Sequence, residues 1–66
     1  MRIRINGEWA EGPQGQTIAA LLARMGIDPR RVAVERNLEI VPKVKYGETA
    51  LAEGDNLEIV QFVGGG

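Results

Sequence analysis

The chain has 66 residues, with 8 Lys and Arg against 9 Asp and Glu, a net charge of −1 and a pI near 5.3. That length excludes a second domain, and that balance excludes the broad basic footprint of a nucleic-acid binder. Cysteine and histidine are both absent, which excludes disulfides, thiolate nucleophiles, an imidazole base and the commonest zinc ligands.

Residues Arg2 to Ile5 alternate, Ile3 and Ile5 facing one way and Arg2 and Arg4 the other, the pattern of a half-buried strand. Asn6-Gly7 follows, a dipeptide that tolerates the positive φ values of a tight hairpin, so Glu8-Trp9-Ala10 is predicted to run back beside the first strand. Beyond the turn-rich "EGPQGQ", the stretch "TIAALLARMG" places Ile18, Leu21, Leu22 and Met25 on one helical face, expected to be core. Thr17 is its predicted cap and Gly26 its terminator.

"IDPRR" reads as a proline turn into a strand, "VAVERN", with Val32 and Val34 on one face. "LEIVP" is a shorter extended piece, and Pro42, which cannot donate to a ladder, places it at an edge or strand end. "KVKYGETAL" is polar and the least regular segment, with Leu51 expected to tuck under the sheet. The closing "LEIVQF" sets Leu57 and Ile59 on one face and Val60 and Phe62 on the other, and a strand apolar on both sides is usually central.

With the closing strand parallel to the opening one, a single helix covers one face of a mixed sheet of four to five strands. The predicted class is α+β, the β-grasp of ubiquitin-like proteins, over residues 1–63, followed by a flexible glycine tail over residues 64–66. No apolar run approaches the roughly 18 residues of a membrane span, and no signal-peptide pattern is present. A cytoplasmic protein engaging no membrane, nucleic acid or metal is expected.

Chemistry-bearing side chains are sparse. Glu53 with Asp55, and Glu35 with Glu39, are available as carboxylate pairs, but all sit beside turns or at outward strand positions and read as solvated surface charge. Gly54-Asp55-Asn56 reads as turn chemistry. "GPQG" lacks the Lys-Ser/Thr of a phosphate-binding loop and is a connection. Arg30, Arg31, Lys43 and Lys45 form at most a small partner-contact patch. Val60 and Phe62 have two readings: covered by loop residues or a small strand, or an exposed apolar contact patch beside the tail.

Gly64, Gly65 and Gly66 likewise have two readings, an inert terminus or a thin thread that carries its own carboxylate through a narrow channel to another protein's active site. In the second, the α-carboxylate of Gly66 is the reactive group, and an ATP-dependent partner must activate it as an acyl-adenylate.

Essentially the whole chain resembles the ThiS family of sulfur carriers, within the ubiquitin-like β-grasp superfamily: "INGEW", "TIAALLARMG", "VAVERNLEIVPK" and "LAEGDNLEIVQFVGGG" carry the likeness. The resemblance implies that a ThiF-type adenylyltransferase consumes ATP to adenylate Gly66. Sulfur from a cysteine desulfurase route then makes a thiocarboxylate that feeds thiazole formation on thiazole synthase. It implies a co-substrate with no bound cofactor rather than an enzyme. Gly65 is the second glycine of the motif, and Gly64, Val63 and Phe62, with Val60 beside them, lie where such carriers meet partners. Lys43 stands where the family commonly has arginine, which keeps the charge and loses the planar fork, and the third glycine lengthens the tail. A carrier without cysteine must bear its sulfur elsewhere, in keeping with this reading. The alternatives are a molybdopterin-synthase small subunit, a ubiquitin-like modifier and a plain interaction module.

Overall fold

The structure, a computed structural model, describes residues 1–62. Its elements are β1 (Arg2–Ile5), β2 (Glu8–Glu11), α1 (Ile18–Arg24), β3 (Val32–Arg36), β4 (Glu39–Val41) and β5 (Asn56–Gln61), with 3-10 turns at Pro29–Arg31 and Lys43–Lys45. The five strands form one mixed sheet in the order β2-β1-β5-β3-β4. β5 lies in the middle, parallel to β1 and antiparallel to β3, and β4 takes the edge that Pro42 predicts. This is the β-grasp. No described helix is long and apolar enough to cross a membrane.

The alternation of each strand decides what meets the helix. Ile3 of β1, Leu57 of β5 and Val32 and Val34 of β3 are buried with Ile18, Leu21 and Leu22 of α1. The Thr17 hydroxyl accepts from the Ala20 N–H at 3.1 Å, capping the first turn. The segment 43–51 caps it as well: the Ile18 N–H donates to Thr49 O and the Ala19 N–H to Tyr46 O, so two N–H groups with no partner in the helix find one outside it.

That segment carries more core than its polarity predicts. Leu51 is buried as expected, and so is Tyr46. The 3-10 turn at Lys43–Lys45 swings the Tyr46 ring inward, where burial pushes its phenol up against a hydrogen bond with the Val34 backbone that holds it down.

Met25 departs from its predicted place. It is 45% exposed rather than core, because the helix ends at Arg24 and Met25 is its C-cap. Gly26, at φ +72, turns the chain so that its N–H donates to Ala23 O and that of Ile27 to Leu22 O. That pair of bonds is the Schellman closure, and it brings Ile27 against the core where another turn of helix would have brought Met25.

Candidate functional site

The last described strand is held at three points, and each hold comes from a residue in a turn. At its start stands Asp55, only 6% exposed. Its Oδ2 accepts from Arg36 Nε at 2.8 Å and from the Ala52 N–H at 2.9 Å, and its Oδ1 accepts from Asn37 Nδ2 at 3.1 Å. Asn37, at φ 52 in the turn between β3 and β4, also accepts on its Oδ1 from the Asn56 N–H at 2.9 Å. Asp55 is therefore not the solvated surface charge its turn-rich context predicts. The turn folds its carboxylate inward, and Arg36, which β3 directs toward it, supplies the counter-charge.

Burial pushes the Asp55 carboxyl up, but the Ala52 N–H, Arg36 and Asn37 together outweigh it and hold the group below its ordinary value. The folded state therefore binds this proton less readily than the unfolded chain. The stabilisation is fully present above the unfolded carboxylate pKa of about 4 and is lost as pH falls through the depressed folded value. Asp55→Asn is expected to cost about 1–3 kcal/mol at pH 7. The gap in melting temperature between wild type and variant should close on titration to pH ~3; a gap that stays constant would contradict the depressed carboxyl.

At its middle, β5 is held by Asn6. The hairpin turns away after Ile5, with Asn6 at φ 49 and Gly7 at φ 85, yet the ladder continues through the Asn6 side chain. Its Nδ2 donates to Ile59 O at 3.1 Å and its Oδ1 accepts from the Ile59 N–H at 2.7 Å. One amide thus serves as the next residue of β1. Sequence reasoning found Asn6 only as a turn former, and the dipeptide Asn-Gly carries no signal for this second role.

At its far end the Phe62 N–H donates to Arg31 O at 2.8 Å. Lys43 Nζ donates to Val32 O at 2.6 Å and to Pro29 O at 3.3 Å, and sits 5.0 Å from the centre of the Phe62 ring, within cation–π range. A single ammonium suits that point contact, and it explains in this chain what Lys43 does without a planar fork.

Val60 is 58% exposed and Phe62 54% exposed, so neither loop nor strand covers them. They are joined on the exposed side by Ile40 of β4 and Trp9 of β2. Val63, Gly64, Gly65 and Gly66, predicted as partner contact and tail, lie outside the described residues.

The remaining candidates disperse. Arg30 pairs with Asp28 at 2.9 Å, and its side chain and N–H hold the Asp28 carboxyl down to about 2. Lys45 pairs with Glu48 at 3.0 Å and Lys43 is tied to carbonyls, so the four basic residues do not act as one patch. Glu53 accepts from the Arg2 N–H at 2.9 Å, a hold on the start of β1.

Comparison with known proteins adds to this geometry. A family model described as the ThiS family matches residues 3–66. The sulfur carrier protein ThiS of Bacillus subtilis is 50% identical over 50 residues, covering 76% of this chain and 76% of that protein. A thiazole synthase of Paramagnetospirillum magneticum is 54% identical over 66 residues, which is 100% of this chain and 20% of that protein. The chain thus spans 20% of the length of the thiazole synthases it matches. Among solved structures, the crystal structure of a thiamine biosynthesis protein (ThiS) from Geobacter metallireducens superposes with a TM-score of 0.86 at 28% identity, covering 100% of both chains.

Proposed function

This chain belongs to the ThiS family, and from that premise we propose that it is a sulfur carrier of thiamine biosynthesis whose working group is the α-carboxylate of Gly66. A ThiF-type adenylyltransferase consumes ATP: a carboxylate oxygen attacks the α-phosphorus, pyrophosphate leaves, and the acyl carbon becomes electrophilic with AMP as its leaving group. Sulfur supplied from a cysteine desulfurase attacks that carbon, the bond to AMP breaks, and a thiocarboxylate remains. The thiocarboxylate then gives its sulfur to the thiazole being formed on thiazole synthase. The protein works in the cytoplasm as a co-substrate, with no cofactor of its own.

The observation that carries this reading is the threefold hold on β5. A strand pinned by Asp55, Asn6 and Arg31 at its start, middle and end is a firm base from which the four following residues can be presented to a partner. Exposed Val60 and Phe62, with Val63, supply a contact surface next to that base. Relatives in which a matching segment makes up one fifth of a thiazole synthase support thiazole synthase as the acceptor.

Pyrophosphate exchange tests the first chemical step. A ThiF-type adenylyltransferase given the chain ending at Gly66 is expected to exchange labelled pyrophosphate into ATP, and the same chain with an amidated Gly66 is expected to give none. Exchange that survives amidation would place the adenylated group elsewhere and overturn the assignment.

A further inference from the structure

The face of the sheet turned away from α1 carries an unusual arrangement of charge. In the β3–β5 register Glu35 stands directly opposite Glu58, with Ala33 opposite Val60 one step along and Ile40 of β4 opposite Glu35. Their neighbours Val34 and Leu57 point into the core, so by the alternation of a strand these residues share the outer face. Like charges directly opposed across a ladder destabilise a sheet, and both glutamates are half-buried.

The arginines that might neutralise them are all engaged elsewhere. Arg4 donates through Nε to Gly7 O at 3.2 Å and, with Arg2, stacks on Trp9, their guanidinium carbons 5.7 and 4.7 Å from the ring centre. Arg36 is turned to Asp55 at 2.8 Å. Among the described residues neither Glu35 nor Glu58 forms an ion pair.

A repulsive pair with apolar neighbours on the face beside the tail's exit is unfavourable for the free protein and suited to a bound one. We infer that this face docks the adenylating partner through a lysine or arginine of that partner seated between Glu35 and Glu58, with apolar side chains closing over Val60 and Ile40. Charge complementarity selects the cation. Continuity selects the occupant, since a protein that receives the chain beyond Phe62 must cover the strand from which it leaves. The inference rests on the sulfur-carrier reading for the identity of the partner.

The experiment is a binding titration without ATP. Glu58→Gln, Glu35→Gln and the double variant are each titrated with the ThiF-type adenylyltransferase at low and moderate salt, and each is melted alone. The variants are expected to melt at or above the wild type, because the repulsion is gone, and to bind about tenfold more weakly with a flatter salt dependence. Unchanged affinity at both salt concentrations would overturn the docking contact. A variant that melts below the wild type would also overturn it, since the glutamates would then be favourably placed in the free protein. At saturating partner every variant should still support pyrophosphate exchange. Loss of exchange in the wild type would count against the carrier chemistry alone, because the titration does not depend on ATP.

Discussion

Deleting Gly66 is expected to reduce sulfur loading by at least about 100-fold while leaving the melting temperature within about a degree of wild type. The two halves of that expectation come from separate parts of the molecule. Every buried side chain identified lies at or before Leu57, and the sheet's ladder ends at Gln61 with one further bond from Phe62. Nothing that holds the described fold together involves residue 66. The shortened chain still ends in a glycine carboxylate, so the chemistry of the group is intact. Its reach falls by about 3.5 Å, whereas reacting atoms must be held at about 3–3.5 Å and a displacement of about 1 Å can cost 100-fold. A large drop in melting temperature would make the tail structural, and undiminished loading would make its length irrelevant.

Leu57→Ala is expected to do the reverse, with a loss of about 2–5 kcal/mol. Leu57 is fully buried in the central strand, paired with Ile5 on one side and Arg36 on the other. A domain of this size has only about 3–10 kcal/mol of stability in all, so the melting temperature should fall by at least about 8 °C, and at the upper end of the range the chain is largely unfolded. Met25→Ala is the internal control. A side chain 45% exposed beyond the end of the helix should change stability by about 0.5 kcal/mol or less. Comparable losses for the two would mean that Met25 packs as core after all, which thermal melts of both variants decide.

The contrast between those two residues shows what could be read without coordinates. Leu57 was legible because strand alternation and a doubly apolar closing segment both point to the centre of the sheet. Met25 satisfies the helical period as well as Leu22 does, but period says nothing about where a helix stops, and Gly26 stopped it one residue sooner. Asp55 and Asn6 failed to show their roles for a related reason. Their turn propensities were correctly read, yet a turn former's side chain can also reach a strand distant in sequence, and only the tertiary arrangement brings Ile59 to Asn6 or Arg36 to Asp55.

Tyr46 was hidden by its setting among lysines, glutamate and glycine, since its burial depends on the 3-10 turn before it. The candidate site was legible in outline: Val60 and Phe62 were identified from alternation alone, though whether they were covered depended on how far the single helix and the short edge strand reach. The opposed glutamates required the register itself, because a one-residue slip between β3 and β5 would send them to opposite faces.

The intact mass of the chain after incubation with a ThiF-type adenylyltransferase, ATP and a cysteine-desulfurase sulfur supply tests the central claim most directly. Exchange of one oxygen for one sulfur, localised by fragmentation to Gly66, is the predicted result. An unchanged mass, accompanied by isopeptide links from Gly66 to lysines of other proteins, would contradict it and make the chain a protein modifier instead.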